Sequence, residues 1–190
     1  METIKLAKDT GVKTIISHLR PLVGFENYFS DSLELLEKEA LNLNLHFDSY
    51  PSDTSLIPIY TLLPDWAKNG SLEIMLQNIS THYLEERILE ELPPFKGNDI
   101  IVAYAPSASY LVGKTLGEIS DNQENDLGRT LLRIMSASKM NAVVLYKNIN
   151  IDLAIQSLLN TQALVASNGP GLIESALRFT HDRISNTFPK

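Results

Sequence analysis

The sequence predicts an α/β fold built from strand–helix units with parallel strands. Three observations carry this. Short β-branched runs alternate with amphipathic helical stretches at both ends of the chain, residues 12–19 form a nearly continuous β-branched run, and glycine or proline marks most changes of period. With 190 residues, 44% of them hydrophobic, the chain has material for a sizeable core, so disorder is not expected.

Taken in order, Ile4 and Ala7 lie on one side of an opening helix that Gly11 would close in the left-handed conformation. Residues 12–19, Val-Lys-Thr-Ile-Ile-Ser-His-Leu, read as a strand covered on both faces. After Pro21 and Gly24, Ser30 is placed to cap a helix whose Leu33, Leu36, Ala40 and Leu41 share a face, leaving Glu34, Glu37 and Lys38 to water. A second strand, 43–50, stops at Pro51. A helical crossover between two short strands predicts parallel pairing.

Between Pro64 and Pro93-Pro94 the pattern is helical, with Trp66, Ile74, Leu76, Ile79, Leu84, Ile88 and Leu92 apolar and Ser71 and Ser80 as candidate caps. Then come a strand at 99–105, a short helix at 114–120 and a longer one at 127–138 with Leu131, Ile134 and Met135 inward. Alternation resumes with a strand at 142–146, a helix at 151–159 capped by Asn150, a strand at 162–167 and a helix after Pro170. The expected organisation is strand–helix units over 1–63, a largely helical insert over 64–140, and final strand–helix units and tail over 141–190.

Composition narrows the function classes. The 23 acidic against 16 basic residues form no basic stripe, so nucleic acid is not an expected partner. The absence of cysteine removes disulfides, thiolate zinc sites and thiol nucleophiles. The opening Met-Glu-Thr-Ile-Lys-Leu-Ala-Lys lacks the apolar segment of an export signal, and no stretch approaches the ~20 apolar residues of a spanning helix. A cytoplasmic protein without a membrane partner is expected.

Candidate chemistry sits at strand ends. His18 closes the first strand, where strand–helix folds place ligand groups, although a lone histidine is more often an ordinary hydrogen-bonded imidazole. Asp48, Tyr50 and Pro51 end the second strand at the corresponding rim; the alternative for Asp48 is a turn that uses it as a backbone acceptor. Ser167-Asn168-Gly169 ends the last strand. Gly113-Lys114-Thr115 resembles the tail of a phosphate loop, but Ala108 stands where that motif needs glycine. His82 and Glu86 share a helix face without a second histidine, which reads as a solvated face. A catalytic zinc takes about three protein ligands. Of His18, His46, His82 and His181, only His18 is well placed; His46 shares the strand face of Asp48 but lies below the rim.

Several of these segments, in order, resemble the signatures of one family. Ile16-Ser17-His18-Leu19-Arg20, Asp48-Ser49-Tyr50-Pro51, Leu63-Pro64-Asp65-Trp66-Ala67 and Val112-Gly113-Lys114-Thr115-Leu116-Gly117-Glu118-Ile119 are similar to those of D-aminoacylases (N-acyl-D-amino-acid deacylases) of the amidohydrolase superfamily. Ser167-Asn168-Gly169 falls where that family has Ser-Asp-Gly, and His181 with Thr187-Phe188-Pro189 resembles its closing stretch. The resemblance implies a zinc-dependent (β/α)8 barrel with an added β-rich domain, hydrolysing the amide of a small-molecule N-acyl-D-amino acid. It implies His18 as a metal ligand, Asn168 at the position of the catalytic aspartate, and Arg20, Tyr50 and Asp48 as substrate-binding residues. Arg20 stands where lysine is common, and Tyr50 where some members offer a second histidine.

The departures shape the expectation for this chain. The family's first-strand His-x-His ligands and its bridging ligand precede the matched region. At 168 an amide replaces a carboxylate, and an amide neither cycles a proton nor ligates zinc as an anion. The chain is therefore expected to represent a partial amidohydrolase-type barrel, α/β, that does not retain zinc or activity alone. It reads either as a fragment of an enzyme or as a degenerate relative serving as a binding or structural module. In a third reading, another polypeptide supplies the missing half. Half a barrel exposes strand edges and apolar interior, which predicts self-association or a rearranged sheet.

Overall fold

Gly11 ends the first helix as its sequence position requires. In the computed structural model, which describes residues 2–40 and 43–166 and leaves the Ala40 side chain undescribed, Gly11 has φ 67°. Its N–H donates to Ala7 O at 2.9 Å. The elements that follow one another are α1 (Glu2–Thr10), β1 (Thr14–Ile16), α2 (Glu26–Ala40), β2 (Leu45–Ser49), β3 (Thr54–Pro58), α3 (Leu72–Ser80), α4 (His82–Glu91), β4 (Ile100–Tyr104), α5 (Leu116–Gln123), α6 (Leu127–Ala137), β5 (Val143–Lys147), α7 (Ile151–Ser157) and β6 (Ala163–Val165). Among the described residues the chain divides into two compact units, 2–55 with 148–166, and 56–147. No helix among them is long and apolar enough to cross a membrane.

The first unit holds a parallel sheet ordered β1–β2–β6. Ile16, Phe47 and Ala163 stand side by side in register, and alternation puts Leu45 on the same face. That face packs on Ile4 of α1 and on Leu33 and Leu36 of α2, which is why α2 carries an apolar stripe. Ile15, His46, Asp48 and Leu164 take the opposite face. Here the expectation for residues 12–19 needs correction. The strand is three residues long, and Ile15 is 57% exposed where cover on both faces was expected. Among the described residues of this unit α1 and α2 pack on one face of the sheet, and β1 stands at its edge. Ser30 is not a cap either: α2 starts four residues earlier, and the Ser30 hydroxyl donates back to Glu26 O at 3.1 Å.

The second unit surrounds a core of Ile59, Ile88, Ile100, Leu116, Leu131, Met135 and Val144, all buried. It contains α3 to α6 as the helical pattern predicts, but it also has its own sheet, ordered β3–β5–β4. β4 and β5 run antiparallel. The strand expected at 142–146 to resume the parallel alternation therefore belongs to this sheet. The expected insert, 64–140, falls inside the unit, while β3 and β5, the other two strands of the sheet, lie outside the insert's bounds. Ser71 and Ser80 make no capping bond: Ser71 precedes α3 without one, and α4 begins after Thr81. Asn150 does cap α7, its side-chain oxygen accepting the Leu153 N–H at 3.3 Å.

Candidate functional site

Two features of the first unit bring polar groups to the carboxyl end of its sheet. After β1, His18 adopts φ 61°, a left-handed conformation that histidine enters more readily than most residues. This turns the chain back over β2. The His18 N–H donates to Asp48 Oδ1 at 2.8 Å, and the Leu19 N–H donates to Asp48 O at 3.1 Å. Asp48, half-buried, thus serves as the backbone acceptor of a turn. The His18 imidazole is exposed.

The second feature is a chain of side chains behind that turn. Arg20 Nη1 donates to Ser55 Oγ at 3.3 Å, and Ser55 Oγ donates to Asn148 Oδ1 at 2.6 Å. The Arg20 guanidinium lies 6.0 Å from the centre of the Tyr50 ring. Tyr50 is itself fixed: its hydroxyl donates to Thr54 O, and its ring is buried with Ile149 and Ala154. Three backbone pairings knit these segments together, Ile149 N–H to Asp53 O at 3.1 Å, Val23 N–H to Asn148 O at 2.9 Å and Asn150 N–H to Pro21 O at 2.9 Å. A guanidinium presents five N–H donors in a planar fork suited to a carboxylate, and Ser55 takes one of them.

The structure thus brings His18, Arg20, Asp48 and Tyr50 to one end of one sheet. Asn168, with Ser167, Gly169 and His181, lies outside the described residues. Ser55 and Asn148 join the cluster without having been singled out in the sequence. For Asn148 a partial signal was available, since Asn148 and Asn150 follow the apolar run at 142–146 as polar strand-end residues, whereas Ser55 stands in a stretch whose composition is that of a loop. A cavity of about 470 Å³ between α2 and α7, lined in part by Glu37 and Asn160, which share a hydrogen bond of 2.7 Å, is lined by none of these residues.

Zinc, which the sequence resemblance implies, does not fit the described residues. Among them no group of three or more His, Asp or Glu side chains is placed to hold a metal ion. Asp48 uses Oδ1 to receive the amide of His18. His46, on the Asp48 face, has a buried Nδ1 with no hydrogen-bond partner among the described residues. Gly113-Lys114-Thr115 and the His82–Glu86 helix face have structural accounts. Thr115 caps α5 in a reciprocal box with Glu118, which accounts for the Gly-Lys-Thr segment, and Glu86 pairs with Arg129.

The fold of this chain is similar to part of the fold of much larger enzymes. The N-acyl-D-glutamate deacylase of Bordetella bronchiseptica, solved with zinc and a phosphonate mimic of the tetrahedral intermediate, matches with TM-score 0.55 at 14% identity, over 88% of this chain and 28% of its own. A D-aminoacylase reported to define a novel subset of amidohydrolases matches with TM-score 0.56 at 15% identity, again over 88% and 28% of the two chains. A D-aminoacylase structure concerned with the role of its binuclear metal centre gives TM-score 0.55 at 15% identity over the same shares. This chain therefore spans about 28% of the length of these enzymes. No family model and no curated protein matches the sequence.

Proposed function

We propose that this chain is a fragment or degenerate relative of a metal-dependent amidohydrolase acting on the amide of N-acyl-D-amino acids. In this reading it keeps a wall that recognises the substrate carboxylate and lacks a working metal centre. Arg20 receives the carboxylate, Tyr50 packs beside it, and Asp48 holds the turn that carries His18 and Arg20. His18 stands at the position of a metal ligand and Asn168 at that of the family aspartate. An amide at 168 holds no transferable proton, and removing a general base alone costs about 10²- to 10⁴-fold in rate. The isolated chain is therefore a carboxylate-binding module without turnover.

The observation that carries this reading is the bracing of Arg20 through Ser55 to Asn148, beside a Tyr50 ring locked by its own hydroxyl. A guanidinium immobilised in advance loses less entropy on meeting an anion than a free one. A purely structural module is the second reading, favoured by the use of Asp48 in the turn.

Calorimetric titration with N-acetyl-D-leucine separates the two. Binding is expected, and Arg20→Ala should weaken it about tenfold to a hundredfold, the range for losing a charged hydrogen bond. No binding leaves the structural reading. Metal analysis of the purified chain should give well under one zinc per chain, and N-acetyl-D-amino acids should not be deacylated. A robust deacylation rate abolished by His18→Ala would overturn the proposal.

A further inference from the structure

Directly after Arg20 the chain exposes its apolar side chains. Leu22 is 37% exposed, Val23 60%, Phe25 59% and Tyr28 72%. A frayed loop would account for such exposure, but this segment is tied down. Leu22 bridges to Ile149, Val23 N–H donates to Asn148 O, and Phe25 N–H donates to Leu22 O at 2.9 Å. Gly24 has φ 86°, and its N–H donates to Glu26 Oε2 at 2.8 Å. The Phe25 and Tyr28 rings lie 6.2 Å apart, centre to centre. An ordered apolar surface held in water is unfavourable unless something covers it.

What adjoins this lip indicates what covers it. Asn148 holds the lip with its main-chain carbonyl and, through its side chain, holds Ser55 and so Arg20. One residue thus fixes an apolar shelf and a cation next to each other. On a chain of net charge −7, a braced cation beside an ordered apolar lip is complementary to an anion that carries an apolar body. The acid of the lip, Glu26, is engaged with the Gly24 amide at the start of α2.

We infer that the site takes N-acyl amino acids whose acyl group is a medium-length apolar chain, the carboxylate meeting Arg20 and the chain lying on Leu22, Val23, Phe25 and Tyr28. This rests on the reading of Arg20 as the carboxylate-binding group. Each fully buried methylene is worth about fourfold in affinity, so burial equivalent to two of them on an open shelf gives roughly tenfold.

The test is calorimetric titration of the whole chain, below the micellar concentration of each ligand, with N-acetyl-D-leucine, N-decanoyl-D-leucine and N-decanoyl-D-leucinamide. The decanoyl acid should bind at least about tenfold more tightly than the acetyl acid. The double variant Phe25→Ser/Tyr28→Ser should reduce that preference to within about twofold and leave N-acetyl-D-leucine binding unchanged. Both side chains are exposed, and thermal melts verify that the variant folds. Equal affinity for the two acids, with both lost in Arg20→Ala, overturns the inference and leaves the carboxylate reading standing. A preference that survives the double variant likewise overturns it. Failure of both acids to bind, or equal binding of the decanoyl acid and its uncharged amide, overturns the Arg20 reading and the inference with it. Copies of the chain that associate through the lip, separate in the double variant and show no acyl preference overturn it in favour of a second copy as the occupant.

Discussion

Gly97 and Gly117 touch backbone to backbone, and the contact gives an asymmetric prediction. Gly97 opens a single 3-10 turn, Gly97–Asp99, before β4, and Gly117 is the second residue of α5. A Cβ on Gly97 would lie 2.7 Å from Gly117 Cα and 3.1 Å from Gly117 N. Carbon atoms rest at about 3.5–4.0 Å, so roughly 1 Å of main-chain displacement is required. Neither side yields easily. The start of α5 is fixed by Thr115 and Glu118, and the 97–99 turn by the Lys96 N–H on Asp99 Oδ2 at 2.8 Å. Overpacking costs about 1–3 kcal/mol, and Gly97→Ala should fall in the upper half of that range. The reverse substitution differs. A Cβ on Gly117 meets Gly97 Cα at 3.2 Å and Gly97 C at 3.4 Å, a few tenths of an ångström too close. Alanine in a helix is favoured over glycine by up to about 1 kcal/mol, so Gly117→Ala should be close to neutral. Urea unfolding followed by Trp66 fluorescence, within the same unit, measures both. A Gly97→Ala variant within about 0.5 kcal/mol of wild type, or a Gly117→Ala variant less stable than it, refutes the steric account.

Three further outcomes follow from named contacts. Thr115→Ala removes the hydroxyl that accepts the Glu118 N–H at 3.1 Å and should cost about 1 kcal/mol in the same urea assay. The Thr115 backbone N–H, then its hydroxyl, holds the Glu118 carboxyl below its ordinary value of 4.5. Because folding favours the charged form, that contribution is complete above the ordinary value and fades as pH falls through the lowered one. Glu118→Gln should therefore lose less stability than wild type as pH falls below the ordinary carboxyl range in an acid titration followed by circular dichroism. Asn148→Ala removes the brace behind Ser55 and should weaken N-acetyl-D-leucine binding by about threefold to tenfold in calorimetry, less than loss of the guanidinium itself.

Local signals in the sequence were legible where one element sufficed to read them. Gly11 as a C-cap, the Leu33 and Leu36 face of α2 and the Asn150 cap depend on neighbours a few residues away, and they appear as expected. Cover on both faces of β1 and the direction of β5 depend on which chains lie alongside. An apolar run states that it can be buried, not by what, so Ile15 stands exposed and β5 pairs with β4. β3 went unread because Thr54 and Ser55 open it and Pro58 closes it, a composition shared with loops. The rim residues His18, Arg20, Asp48 and Tyr50 were visible because strand ends mark themselves. Ser55 and Asn148 reach the same place only through β3 and the end of β5, so missing one strand's existence and another's pairing hid both.

The face of the parallel sheet opposite α1 and α2 carries the last consequence. Ile15 is 57% exposed and Leu164 41%, flanking His46 and Asp48 on that face, while among the described residues β1 and β6 stand at the two edges of the sheet. Parallel sheets are ordinarily covered on both faces, and unpaired edge strands recruit further strands. The buried His46 Nδ1, without a partner among the described residues, is a polar atom that a covering element would satisfy at a gain of about 1–3 kcal/mol. The chain matches only 28% of the length of the neighbouring enzymes. In isolation the chain should then associate with itself, more so as concentration rises. Ile15→Lys places an ammonium on both the open face and an edge, and should shift the sedimentation profile towards monomer without altering N-acetyl-D-leucine affinity. A wild-type chain that sediments as a monomer across about a hundredfold range of concentration, unchanged by Ile15→Lys, would show that this face is stable against water as it stands.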